Sequence, residues 1–148
     1  MNRISIADII GNYQQQIDLY YQMLGLARQQ LDLVEKKFPT DNILAERHHL
    51  MEEISSLNAQ NQEWQDSFCQ SIGIKIFNLS NIRSAENVAE VEDLDQVLKE
   101  IAQVLQQIEA VDQSIQELLN QQLSIRNRRR TTPQRAQQAY QKGSKPQP

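Results

Sequence analysis

The chain contains long stretches in which apolar residues recur every three or four positions. In the first stretch, spacings of 3 and 4 alternate without interruption from Ile10 to Phe38. This period places the apolar residues on one face of an α-helix, as in coiled-coil packing. It predicts a helix over about residues 6–38. Pro39 disfavours the helical conformation of the residue before it, so the helix is expected to end there.

A second amphipathic helix is predicted over about residues 42–71, with Thr40 or Asp41 as its cap. Its apolar face contains two polar members, Arg47 and Asn61. A buried Asn can fix the register between two helices at a cost in stability. Because the connection between the first two helices is only a few residues long, we expect them to form an antiparallel hairpin.

The helical period is lost in residues 72–92, where we expect an irregular connection with one or two short helical turns. Its apolar residues either cap the open end of the hairpin or form a contact patch for a partner; they are Ile74, Ile76, Phe77, Leu79 and Ile82. A third helix is predicted over about residues 93–127. Its apolar stripe is widened by Leu98, Leu105 and Leu119, which suits a helix packed against two others.

These elements predict an all-α protein with two parts. Residues 1–125 are expected to form an antiparallel three-helix bundle, a coiled-coil hairpin of long helices closed by a third one. Residues 126–148 are expected to form a flexible, basic tail, because their apolar content is too low to offset the entropy of ordering them.

Charge is distributed unevenly along the chain, whose formal net charge is −4. No Asp or Glu follows Glu117, whereas seven of the 15 Lys and Arg residues do. The residues up to Glu117 therefore hold eight cations against 19 anions. An acidic body repels nucleic-acid phosphates, and the basic run Arg126–Arg130 lacks the interleaved aromatic residues that single-strand binding uses. We therefore expect no nucleic-acid partner.

No constellation of residues in the sequence indicates catalysis or metal binding. Cys69 is the single cysteine, and beside apolar residues it is expected to be a small core residue. His48 and His49 are adjacent, so on a helix they point about 100° apart and do not chelate one metal ion. We expect no enzymatic activity and no cofactor. The absence of a secretion signal and of a long apolar run predicts a cytoplasmic protein without membrane insertion.

Four stretches of the sequence resemble the bacterial flagellar export chaperones, and in particular the FlgN type, which escorts the hook-junction proteins. "LYYQMLGLARQQLDLVEKK" and "ILAERHHLMEEISSL" are similar to the first and second helices of that family. "SIGIKIFNLSNI" resembles its connection, and "AVDQSIQELLNQQLSI" followed by "AYQKG" resembles its third helix and tail. The related FliT type, which serves the filament cap, fits "ILAERHHLMEEI" and "VDQSIQELL" as well.

The resemblance implies a chaperone that binds the C-terminal helical end of a hook-associated protein, prevents premature assembly and delivers it to the export apparatus. Cargo would lie along the third helix and the start of the tail, against Leu118, Leu119, Leu123, Ile125, Arg128 and Arg129. By the same analogy, Tyr140 would contact the flagellar export gate. Such a chaperone is expected to be a monomer or a weak dimer.

A different class of function also fits the amphipathic helices. A self-assembling structural coiled coil would use the same apolar faces to form a stable dimer or larger oligomer without any cargo. The two hypotheses differ in the size of the free protein in solution, because the chaperone hypothesis leaves the cargo-binding face unoccupied until cargo arrives.

Overall fold

The computed structural model describes residues 4–84 and 88–131, and the regular structure of these residues is entirely α-helical. The elements are α1 (Ile6–Glu35), α2 (Asp41–Ile72), α3 (Leu79–Arg83) and α4 (Val88–Thr131). The prediction of an all-α fold is thus confirmed. None of these helices is long and apolar enough to cross a membrane.

The turn between α1 and α2 begins earlier than the apolar period predicts. Ser5 caps the start of α1 through a reciprocal bond pair with Asp8, but the helix ends at Glu35 and leaves Phe38 outside it. Lys37 adopts the left-handed conformation, with φ of 61°, and the Phe38 amide donates to the Leu33 carbonyl at 2.9 Å. This is the hydrogen-bond pattern of a Schellman C-cap. Thr40 then takes the N-cap position of α2, but its side chain makes no capping hydrogen bond.

α1 lies between α2 and α4 and packs against both of them. α2 runs antiparallel to α1, as predicted for a hairpin, since Asn12 contacts Asn61 and Gln30 contacts Arg47. α4 runs parallel to α1. The Cα atoms of α2 and α4 do not approach within 8 Å of each other in the described residues. The three long helices alternate in direction along the chain, and their packing differs from the prediction in one respect: among them the first, and not the last, packs against two others.

One core cluster closes the end of the molecule where α1 begins. It contains four residues of α1 together with Phe68 from α2, Ile82 from α3 and three residues of α4. Ile74, Phe77 and Leu79 pack against this cluster, and the Phe68 and Phe77 rings meet edge to face with centroids 6.0 Å apart. These contacts agree with the capping interpretation of the connection, although Ile76 is exposed.

α4 begins earlier and ends later than its predicted bounds of 93–127. Val91 and Leu94 are fully buried in the core cluster just described, so packing stabilises the first turns of α4, where Glu90 also complements the helix dipole. Burying each such side chain contributes about 1.5–3 kcal/mol. The second core cluster lies further along, where Met23 and Leu24 of α1 pack with residues of α2 and α4.

A buried polar network fixes the register of α1 against α2. The Asn61 amide group donates to the Ile9 carbonyl at 3.2 Å and to Asn12 Oδ1 at 2.8 Å. The Gln65 side-chain amide in turn donates to Asn61 Oδ1 and to the Tyr13 hydroxyl at 2.8 Å. Because Asn61 satisfies groups on both helices, a shift of one helix along the other would leave buried polar groups unpaired.

Asn61→Ala is expected to lower the free energy of unfolding by about 2–3 kcal/mol, since Asn12 and Gln65 lose their buried partner. The matched control is Asn58→Ala, one turn away on the exposed face of α2, with an expected change within about 0.5 kcal/mol. Urea unfolding followed by circular dichroism measures both. Equal stabilities of the two variants would show that the network does not hold the register.

Candidate helix-docking surface

The apolar residues predicted to bind cargo lie near the end of α4, where this helix leaves the other two. The Gln122 side-chain amide donates to the carbonyl of Val34, in the last turn of α1, at 2.8 Å. α4 then continues to Thr131, which extends it by about 13 Å at 1.5 Å per residue. Its last two turns therefore run beyond the level at which α1 ends.

Three of these four apolar residues are exposed. Leu119, Leu123 and Ile125 expose 42%, 53% and 50% of their surface, whereas Leu118 is half-buried. Phe38, in the turn at the same end of the molecule, exposes 57%. Large apolar side chains exposed together at one place mark interaction sites more often than single ones do.

The four apolar residues do not share one face of α4. Leu119 and Leu123 are four positions apart, and Leu118 and Ile125 are seven apart, so each pair forms its own stripe. At about 100° per residue, the two stripes lie well apart around the helix. Leu119 also lies 14 residues after Leu105, that is, two heptads along the same stripe. The Leu119–Leu123 stripe therefore continues a surface that begins further back on α4.

Leu105 lines a groove between α2 and α4 that has a volume of about 330 Å³ and whose lining does not include Leu119 or Leu123. Leu44 and Met51 form the α2 wall, and Leu105 forms the α4 wall. Met23 and Ile108, both buried, form the floor. The groove exists because α2 and α4 both pack on α1, while their own Cα atoms stay more than 8 Å apart in the described residues. Such apolar clefts between helices are a usual place for an amphipathic helix to bind.

A partly buried ion pair bridges the groove at one point. Arg47 Nη1 and Nη2 donate to the two carboxylate oxygens of Asp112 at 2.8 and 2.9 Å. Arg47 Nη1 also donates to Gln30 Oε1 at 2.7 Å, and the Arg47 side chain is only 17% exposed. A bidentate pair of this kind is geometrically specific. It links α2 to α4 across α1, and it explains why the apolar face of α2 contains an Arg.

A second depression lies on the other side of the hairpin, between α1 and α2, and has a larger volume of about 730 Å³. Five of its nine lining residues are polar or charged, namely Gln22, Gln29, Glu46, His49 and Glu53. Interface hot spots are instead enriched in large apolar and aromatic anchors in desolvated pockets. The smaller groove between α2 and α4 is therefore the better candidate for a binding site.

Comparison of the chain with protein-family models, with curated proteins and with solved structures found no match.

The residues that form the α2 wall of the groove cannot be identified from the apolar period of the sequence alone. Leu44 and Met51 each follow a residue of the predicted apolar seam, Ile43 and Leu50, by one position. Adjacent positions of a helix diverge by about 100°, so these residues look like isolated surface apolar groups. The signal that identifies them is their separation of seven residues, which puts them on a common stripe.

The remaining predicted contacts lie outside the described residues. The backbone of Arg128 and Arg129 is part of α4, but their side chains lie outside the described part of the structure. Tyr140 as a whole lies outside it. Their assignment to cargo and to the export gate stays a prediction.

The residues considered for chemistry are structural or solvated. His48 pairs with Glu52 at 3.0 Å and His49 with Glu53 at 3.3 Å, all four on the surface of α2. Among the described residues, no three His, Cys, Asp or Glu side chains are placed to hold a metal ion. Cys69 is buried; this burial, together with the nearby Asp66 carboxylate, raises the pKa of the Cys69 thiol. A thiol in such surroundings is a poor nucleophile.

Proposed function

We propose that this chain is a protein-binding chaperone of the flagellar type III export system, which holds the C-terminal helical end of a hook-associated protein in the cytoplasm and delivers it to the export apparatus. The observation that carries the proposal is the exposed apolar stripe of α4, Leu119 and Leu123, on the same side of the helix as the groove residue Leu105. A binding module for an amphipathic helix requires a surface of this kind.

The resemblance to the FlgN type makes the proposal specific. Two of its cargo residues, Leu119 and Leu123, form the exposed stripe, and a third, Ile125, is exposed on another face of α4. Leu118 is the weakest of the four proposed contacts, since it is half-buried. In this proposal Arg128 and Arg129 help to hold the cargo, and Tyr140 docks on the export gate. A FliT-type chaperone for the filament cap would use the same surface.

The exposed stripe also supports a second candidate, a self-assembling coiled-coil protein. In that case a second copy of the chain would cover Leu119 and Leu123, and the free protein would be a stable oligomer. The chaperone proposal instead expects a monomer or a weak dimer. Light scattering coupled to size-exclusion chromatography distinguishes the two before any partner is added.

The proposal is tested by copurification of the full-length chain with hook-junction proteins and with filament-cap proteins from the same source. Capture of a hook-junction protein supports the FlgN type, and capture of the filament cap supports the FliT type. Tyr140→Ala is the companion variant, which should retain the cargo and lose only the contact with the export gate. Capture of neither subunit by a folded, monodisperse sample would overturn the proposal.

A further inference from the structure

We infer that Gln122 is a positioning residue for the cargo-binding surface: its contact with the C-terminus of α1 holds the last turns of α4, and with them the exposed Leu123, in a fixed place. The inference rests on the proposed function, because it names the residue that keeps the proposed cargo stripe in position. Gln122 is not among the residues that the resemblance implies, and its polar side chain adds no apolar surface to the stripe.

The last turns of α4 are weakly stabilised by their own residues. All of the residues 123–127 are exposed, so burial of apolar surface contributes little to this part of the helix. Ile125 and Asn127 are also weaker helix formers than the Gln and Leu residues before them. Helix ends of this kind fray readily, and fraying would remove one end of the Leu119–Leu123 stripe.

One contact anchors α4 immediately before these turns. The Gln122 side-chain amide donates to the Val34 carbonyl of α1 at 2.8 Å. Val34 is buried and Gln122 is half-buried, and a hydrogen bond in such surroundings is stronger than one in water. The same carbonyl accepts from the backbone amide of Lys37 at 3.1 Å, in the turn that precedes Phe38. α4 is therefore tied directly to the C-cap of α1.

The position of the acceptor gives the contact an electrostatic preference. The last carbonyl groups of a helix carry a partial negative charge, which favours cations and hydrogen-bond donors near them. α1 has no basic residue in its last turn, and Lys36, its C-cap residue, is paired with Asp32 at 3.0 Å. Gln122 supplies a donor from another helix. A cation at position 122 should therefore replace Gln, whereas an anion should not.

The test compares two substitutions of opposite charge in the full-length chain by hydrogen–deuterium exchange. Gln122→Glu removes the donor and places a carboxylate against the carbonyl, so the amides of residues 123–127 should exchange about tenfold faster. Gln122→Lys keeps a donor and should exchange no faster than the wild type. Both variants should melt at nearly the wild-type temperature, because Ile115 and the rest of the core stay buried. Equal exchange in the Glu and Lys variants would overturn the inference.

A matched variant controls for the added negative charge. Gln121→Glu introduces the same carboxylate one position earlier, where the side chain is exposed. Its amides in residues 123–127 should exchange at the wild-type rate. Faster exchange in the Gln121 and Gln122 variants alike would contradict a specific contact with α1.

Capture of the cargo protein distinguishes a positioning role from a merely structural one. The affinity of the hook-junction protein should fall by about threefold or more in Gln122→Glu, because the fraction of molecules with an ordered stripe falls. It should be retained in Gln122→Lys and in Gln121→Glu. Faster exchange in Gln122→Glu without any loss of affinity would contradict the positioning role.

The outcomes also separate this inference from the proposed function. If a hook-junction protein is captured equally well by the wild type and by Gln122→Glu, the chaperone function stands and the positioning role fails. If the exchange rates follow the expected order but no flagellar subunit is captured, the anchoring of α4 by Gln122 stands and the flagellar function fails.

Discussion

Leu50→Asp is expected to unfold the protein. Leu50 is 7% exposed and packs in the second core cluster with Met23, Ile54 and Val104. The substitution removes the burial of a large apolar side chain and places an unpaired carboxylate in the core. A loss of about 4–5 kcal/mol is comparable to the whole stability of a small domain. Circular dichroism should show loss of helicity at 25 °C or a much lower melting temperature.

The control for this prediction is the next residue. Met51 is 55% exposed, so Met51→Asp should change the free energy of unfolding by no more than about 0.5 kcal/mol. Leu50→Asp is therefore expected to unfold the protein, whereas Met51→Asp is expected to leave its melting temperature nearly unchanged. If Leu50→Asp melts at the same temperature as the wild type, the packing of α2 against α1 and α4 is not as described.

The double variant Leu119→Asp, Leu123→Asp is expected to abolish capture of the cargo protein and leave the fold intact. Both residues are exposed, so their replacement costs little stability, whereas two carboxylates in the binding surface oppose an apolar partner. Losses of 2 kcal/mol or more per anchor are usual at interface hot spots, which corresponds to about 30-fold in affinity for each residue. Copurification and the melting temperature together measure the two effects.

A second double variant controls for added negative charge on the same helix. Gln103→Asp with Gln107→Asp introduces two carboxylates at exposed positions of α4 that lie outside the groove lining. This variant should keep the cargo. Loss of cargo in both double variants would indicate a general effect of charge, and retention in both would remove the stripe from the binding site.

The long helices are predictable from the sequence because the 3–4 period is a local property of the chain. The same period does not predict which helix is central, because an apolar stripe indicates that one face of a helix is buried but not which helix packs against it. α1 takes that place because α2 and α4 use different sides of it, and this arrangement depends on contacts between distant residues. The pairing of Arg47 with Asp112, 65 positions away, is such a contact.

The ends of the helices and the groove depend on finer features. Phe38 continues the apolar period, yet the left-handed conformation of Lys37 ends α1 before it. The apolar period is lost before Asp93, so it does not indicate the start of α4, which is stabilised by the burial of Val91. Leu119 and Leu123 can be identified from the sequence as candidate contacts. The α2 residues of the groove, Leu44 and Met51, can be identified only from the packed helices.

The central claim is that the exposed stripe of α4 holds the helical end of a partner protein. A photo-cross-linking p-benzoylphenylalanine at position 119 tests it most directly, with the same group at position 63, on the exposed face of α2, as the control. A cross-link is expected from position 119 to the C-terminal helix of a hook-junction protein, identified by mass spectrometry, and none is expected from position 63. A captured hook-junction protein that cross-links from position 63 and not from position 119 would contradict it.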